Sequence, residues 1–183
     1  MTKGEKSLIS KELRAWIDRT SPLQPILLLS ASDVRRYVDA TGDANPLWLD
    51  DDFARSVGYR ARVLPPLLVG WIPFSLKEQE ASEKLASFDL RRQLPVPDHY
   101  TNVRNAGSET EWVKPVYLGE QLSSQSRTVD IVARQGKMGI GIYVTQEEQI
   151  LNPDSEVVLR RRHTIALFPE QKFREKEKPE RDR

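Results

Sequence analysis

An α+β fold, with helices on one face of a single curved antiparallel sheet, is the architecture this sequence predicts, and three observations carry the prediction. Helical spacing of apolar residues dominates the first half of the chain. Long, partly alternating segments rich in β-branched residues take over from about residue 100. Turn residues separate those segments, so helices first and long strands afterwards give one sheet covered on one side.

The elements follow in order. Residues 7–19 place Leu8, Ile9, Leu13, Trp16 and Ile17 on one face at helical spacing, and Ser21-Pro22 breaks the helix. Residues 26–29 are a short apolar run of strand type. Ser32 is the expected N-cap of a helix over 33–40, with Val34, Tyr37 and Val38 facing inward and Gly42 ending it. The acidic run Asp50-Asp51-Asp52 suits the positive end of a second helix, in which Phe53, Ala54 and Val57 pack and which Gly58 stops. Pro65-Pro66 opens the most apolar run of the chain, LLVGWIPFSL, whose length favours a buried helix kinked or ended near Pro73. Residues 77–84 are polar and fit either its solvent-exposed continuation or a loop.

Strands are expected over 108–113, 121–133, 139–146 and 157–168, with turns at Arg134-Gln135-Gly136-Lys137 and Asn152-Pro153-Asp154-Ser155. The organisation predicted is an amphipathic lead-in over 1–23, one domain over 24–168 and a charged, disordered tail over 169–183. No internal repeat interrupts this plan.

Composition excludes several functions. The 183 residues carry 28 Lys+Arg against 27 Asp+Glu, a formal net charge of +1, which argues against a nucleic-acid module. The absence of cysteine rules out a disulfide framework, a thiol nucleophile and cysteine-based zinc sites. The only two histidines, His99 and His163, are far apart in the chain, so no metal site is expected. No apolar stretch is long enough to span a membrane and the N-terminus lacks a signal-peptide plan, so the expected location is the cytoplasm.

The informative segment is 37–66, YVDATGDANPLWLDDDFARSVGYRARVLPP. Taken singly, Thr41-Gly42-Asp43 reads as a helix stop, Asn45-Pro46 as a turn and the acidic run as a helix start. As a set, Gly-Asp-x-Asn-Pro-Leu, the acidic position, Gly-Tyr and the Pro-Pro helix start resemble the MaoC-like hot-dog hydratases and dehydratases. The resemblance extends to AGSETEWVKPVYLGEQL at 106–122 and covers about residues 24–168. Within that family the chain looks like the N-terminal dehydratase domain type, found in the non-catalytic subunit of heterodimeric (3R)-hydroxyacyl-thioester dehydratases.

The resemblance implies a hot-dog fold, a curved antiparallel sheet wrapped around a central helix, with two such units side by side and an acyl-thioester tunnel between them. In active members an Asp and a His five residues later bind a water, and a backbone amide at the start of the helix polarises the thioester carbonyl. Such a pairing is chemically sound, because imidazole passes a proton near neutral pH and oriented amides stabilise an enolate.

Carried over by position, Asp43 matches the catalytic Asp and Asn45 the loop-ordering Asn, whereas the catalytic His position holds Trp48. Indole offers one donor, no acceptor and no useful titration. Losing a general acid or base costs roughly 100- to 10,000-fold in rate, so Asp43 reads either as a catalytic residue or as a remnant bonded to its local backbone. His163, on a strand, and His99, in a turn-like Pro-Asp segment, are the other histidines, and both read as structural.

The substrate-binding positions implied are Asn45, Trp48, Pro65, Pro66, Leu67, Gly70 and Trp71, with Leu67 beginning the helix and Gly70 allowing close approach. Arg60 and Arg62 are candidates for the phosphates of coenzyme A or an acyl-carrier phosphopantetheine, which enters as part of the substrate; no separate cofactor and no metal are implied. The run Arg160-Arg161-Arg162 alternates faces on its strand and reads as a solvated face.

Three functions remain open on these grounds. The chain is a substrate-binding subunit of an enoyl-CoA or 3-hydroxyacyl-thioester hydro-lyase whose catalytic His sits on a partner hot-dog chain, a homodimeric acyl-CoA binding protein without turnover, or a stand-alone hydratase or thioesterase using Asp43.

Overall fold

The computed structural model describes residues 8–26, 28–70, 94–137 and 139–170. Its centre is a five-stranded antiparallel sheet in the order β1-β3-β4-β5-β2, formed by β1 (Gln24–Pro25), β2 (Asn102–Trp112), β3 (Ser123–Gly136), β4 (Gly139–Leu151) and β5 (Val157–Phe168). The helices are short: α1 (Lys11–Arg14), α2 (Ala31–Thr41), α3 (Pro46–Leu49) and α4 (Asp51–Ser56). A fifth, α5, opens at Pro66 and is described through Gly70. This is the α+β hot-dog architecture that the sequence predicts. Trp71, the Pro73 kink, the segment 77–84 and the tail from 171 lie outside the described residues.

All four long strands are present, three of them longer than expected. β2 starts six residues before Ser108, and β4 runs on to Leu151 because its pairing with both β3 and β5 continues to that residue. Gly136 pairs with Gly139 at the end of the β3–β4 ladder, so Arg134, Gln135 and Gly136, expected in a turn, belong to β3, and Asn152 closes the next turn by accepting from the amides of Asp154 and Glu156.

The 26–29 strand is not formed. The ladder's last registered pair is Pro25, the Ile26 amide still donates to the Leu122 carbonyl at 2.8 Å, and Ile26 and Leu29 are buried in the core outside any strand. The lead-in helix is shorter than its apolar face suggests. Ser10 caps it by accepting from the Leu13 amide, and Asp18 reverses the chain at φ 65°. The freed backbone then joins the sheet, with the Asp18 amide donating to the Thr128 carbonyl at 2.8 Å.

Helix α2 begins earlier than the Ser32 cap predicted. Ser30 is the cap, because only there does a carboxylate stand three residues on. Asp33 accepts from the Ser30 amide while Ser30 Oγ accepts from the Asp33 amide. Gly42 ends the helix at φ 72°, as expected.

Two apolar clusters hold one face of the sheet. One joins Ile9, Leu13, Leu94 and Tyr100 to β3, β4 and β5. The other joins Val34, Leu64, Val69 and Val116 to Ile150, Val158 and Leu159, and packs Trp48 and Leu68 against its rim. The opposite face is a ladder of alternating charge. Arg127 pairs with Glu147 at 3.0 Å and with Asp18 at 3.6 Å, Glu147 meets Arg162 at 4.0 Å, and Arg160 pairs with Glu111 at 3.2 Å.

Candidate functional site

The motif folds into two short helices because each polar residue caps a turn. Thr41 Oγ1 donates to the Tyr37 carbonyl at 2.7 Å and accepts from the Asp43 amide at 3.3 Å, which fixes the Gly42-Asp43 corner. Asn45-Pro46, expected as a turn, starts α3 instead. Asn45 Oδ1 accepts from the Leu47 amide at 3.0 Å, and Pro46 occupies the first helical position, where a missing N–H does no harm. Asp50 caps α4 in the same way through the amides of Asp52 and Phe53.

Ala54 is buried under α4 as expected, whereas Phe53 and Val57 are exposed. A six-residue helix turns only one narrow stripe inward, and Ala54 fills it.

Asp43 and Trp48 meet. Trp48 Nε1 donates to Asp43 Oδ2 at 3.2 Å, with Asp43 exposed and the indole half-buried. The pair therefore joins the carboxylate directly to the aromatic ring that stands at the histidine position of the motif.

From here the chain is stitched into the second apolar cluster. The Val63 amide donates to the Leu47 carbonyl at 3.1 Å and the Leu64 amide to the Val116 carbonyl at 2.7 Å. These bonds deliver Pro65, buried, and Pro66, the first helical residue, one position ahead of the Leu67 start expected. Leu67 is exposed. A Cβ built on Gly70 would stand 3.5 Å from Arg161 Nη2 and 3.9 Å from the Trp112 ring, ordinary contact distances, so among the described residues space alone does not demand glycine.

A cleft of about 240 Å³ lies against this corner, lined by Trp48, Tyr59, Pro66, Val69, Trp112 and Lys114 among others. Trp48 and Pro66 are the two predicted site residues that it brings together. Asp43, bonded to Trp48, and Asn45 do not line the cleft, and neither does either histidine. Trp112, Tyr59 and Lys114 were not anticipated from the sequence. For Trp112 the usable signal was a large aromatic at the end of a strand, next to Lys-Pro. Lys114, the charged residue of the lining, is paired with Glu156 at 2.6 Å, and this ammonium together with Asn152 holds the Glu156 carboxyl below its ordinary range.

Arg60 and Arg62 are both engaged with carboxylates of this chain, Arg60 at the exposed surface and Arg62 partly buried. Arg60 pairs with Glu120 and lies 4.2 Å over the Tyr117 ring. Arg62 offers its amide to Asp51 at 2.8 Å and its guanidinium at 3.1 Å, which depress the Asp51 carboxyl.

Arg161 departs from the solvated face expected for its run. It is buried, reaches the Gly70 carbonyl, and meets Glu148 at 3.3 Å. Arg160 and Arg162, on the other face, are exposed as expected. Among the described residues no helix is long and apolar enough to cross a membrane, and no group of three potential metal ligands occurs.

A curved antiparallel sheet with a capped Gly-Asp-x-Asn-Pro corner feeding a Pro-Pro helix start defines a MaoC-like hot-dog protein of the dehydratase and hydratase class. The chain belongs to the family described as FAS1-like, dehydratase domain region, whose model matches residues 24–161.

Over 178 residues it is 27% identical to a Thermomonospora curvata protein named "Probable enoyl-CoA hydratase alpha subunit", covering 91% of this chain and 54% of that protein. The chain thus spans about half the length of this curated relative. A chain of the ChsH1-ChsH2 complex from Mycobacterium tuberculosis shares the fold at TM-score 0.74 and 21% identity, with 91% of this chain and 94% of that chain covered. A MaoC-like dehydratase shares it at TM-score 0.62 and 19% identity, with coverage of 86% and 43%.

Proposed function

We propose that this chain is the substrate-binding, chemically incomplete subunit of a hydratase or dehydratase acting on an enoyl or 3-hydroxyacyl thioester. The observation that carries the reading is the Trp48–Asp43 hydrogen bond. The carboxylate of the motif is kept, but its partner is an indole that neither accepts nor transfers a proton, so the acid/base pair must come from a second hot-dog chain bearing its own Asp and His. The similar protein named as an alpha subunit and the two-protein complex with the same fold support an assembly of unlike chains.

In this reading the cleft beside Trp48 receives the acyl group, Pro65, Pro66 and Leu67 present the first turn of α5 to the thioester carbonyl, and Gly70 closes that turn. Asn45 keeps the corner in shape. Coenzyme A or a phosphopantetheine carrier arrives with the substrate, and Arg60 and Arg62 flank its phosphates once loosened from their carboxylates. The partner docks along β2, the outer strand of the sheet, nearly all of whose residues are exposed. Hydration adds the water oxygen to the β-carbon and a proton to the α-carbon, and both steps use the partner's pair.

The test is co-expression with a hot-dog chain carrying Gly-Asp-x-Asn-Pro-x-His. The complex is expected to hydrate crotonyl-CoA, followed by loss of enoyl absorbance, at a rate about 100- to 10,000-fold above that of this chain alone. Full activity in the purified single chain would sink the proposal.

A further inference from the structure

Two side chains of the sheet grip the two ends of one helical turn. Trp112, at the end of β2, donates its Nε1 proton to the Pro66 carbonyl at 2.8 Å. Arg161, in the middle of β5, donates to the Gly70 carbonyl. Residues 66 and 70 are about one α-helical turn apart, and a Cβ built on Gly70 would lie within contact of both the Trp112 ring and the Arg161 guanidinium. The carbonyls of Pro66 and Gly70 thus each accept from a side chain of a different strand, and the two contacts tie both ends of this turn to the sheet.

The arrangement carries a cost that packing alone does not explain. Arg161 sits at 7% exposure among apolar side chains, and its partner Glu148, directly opposite on β4, is nearly as buried. A buried ion pair is seldom more stabilising than apolar residues of the same volume, and its best-attested use is to fix one arrangement among several. Trp112 lies at the other extreme, 44% exposed, with its polar end tied to the helix and its ring lining the cleft with Pro66 and Val69.

We propose that Trp112 and Arg161 are positioning residues, which together fix the first turn of α5 and hence the Pro66–Val69 wall of the cleft relative to the sheet. The inference rests on the reading above, in which this wall meets the acyl thioester. A turn free to slide by about an ångström would misplace the reacting carbonyl, a displacement that commonly costs on the order of 100-fold in rate.

The test compares Trp112→Phe, which keeps a ring but removes the donor, Arg161→Met, which removes the cation, and Arg161→Lys, which keeps it. Two readouts are taken on the complex with the catalytic chain: amide hydrogen exchange over residues 67–70, and kcat and KM for crotonyl-CoA. Expected are exchange at least about tenfold faster in Trp112→Phe and Arg161→Met and kcat down by roughly tenfold to hundredfold with KM little changed. Arg161→Lys should recover part of both. Unchanged exchange over 67–70 in the two donor-removing variants overturns the proposal whatever the activity. So does faster exchange with unaltered kcat, which reduces the clamp to a structural contact. A wild-type complex without hydration refutes the functional reading, and the exchange data then decide the clamp by themselves. If Arg161→Met fails to fold, Trp112→Phe carries the same decision.

Discussion

The indole Nε1 of Trp48 donates to Oδ2 of Asp43 across 3.2 Å, so the two side chains that the motif sets five positions apart satisfy each other. A histidine in that place would leave room for a proton-transfer partner; the indole ends the network. Replacing Trp48 by His is therefore expected to give the isolated chain measurable hydration of crotonyl-CoA, on the order of 100-fold above wild type, and adding Asp43→Asn to that variant should return it to baseline. A folded Trp48→His protein with wild-type rates would mean that more than the imidazole is missing.

Asp51 ties the α4 helix to the strand-like stretch that leads into Pro65. The Arg62 amide, and behind it the Arg62 guanidinium, lower its folded pKa. The sign follows from that direction: the contact stabilises fully above the unfolded aspartate pKa of about 4, and its contribution is lost as pH falls through the lower folded value. Thermal melts of wild type and Asp51→Asn should therefore differ at pH 7 and converge as the pH falls below about 4. A gap that stays constant across that range would show that the Asp51 charge is not what holds Arg62.

Gly141 is a steric requirement. A Cβ built there would stand 2.6 Å from Phe168 Cε1, and the Phe168 ring, which also meets Tyr143 edge-on with centroids 6.1 Å apart, is buried. Gly141→Ala is expected to cost about 1–3 kcal/mol in chemical denaturation. Combined with Phe168→Leu, which makes room, the double variant should lose less than the sum of the two singles. Strict additivity would contradict the contact.

How much of this was legible differs by element. The long strands, the acidic helix start at Asp50 and the Gly42 stop were readable because their signals are local: alternation over a dozen residues, Asp before a helix, Gly at a left-handed stop; Asn45-Pro46 carries the same residues as a turn and so was read as one. The Ser30 cap was also local and was missed only because Ser32 is chemically as good; the carboxylate at Asp33 decides between them. Arg161 is a subtler case. Strand alternation already separates it from Arg160 and Arg162, and counting in twos from the buried Leu159 puts Arg161 on the inner face. A buried arginine is so costly without a partner that the inner position is credible only once Glu148 is known to lie opposite, and that pairing is a register between strands. Trp112 reaching Pro66 is likewise a contact across 46 positions, invisible to any window along the chain.

The free side of β2 carries the last expectation. Among the described residues the strand pairs only with β5 and ends the sheet on its other side, with its residues exposed over most of its length. An edge of this kind offers unpaired backbone groups to a neighbouring chain, and lysine on it opposes such pairing. Val103, 41% exposed, is the place to test it, because a lysine there can keep its stem along the strand and its ammonium in water without disturbing this chain's own core. Val103→Lys is expected to leave the melting temperature of the single chain within about 2 °C of wild type, as surface changes usually do. Calorimetry against the catalytic partner should show binding weakened at least about tenfold, equivalent to roughly 1.4 kcal/mol. Undiminished affinity would place the partner on another face of the molecule.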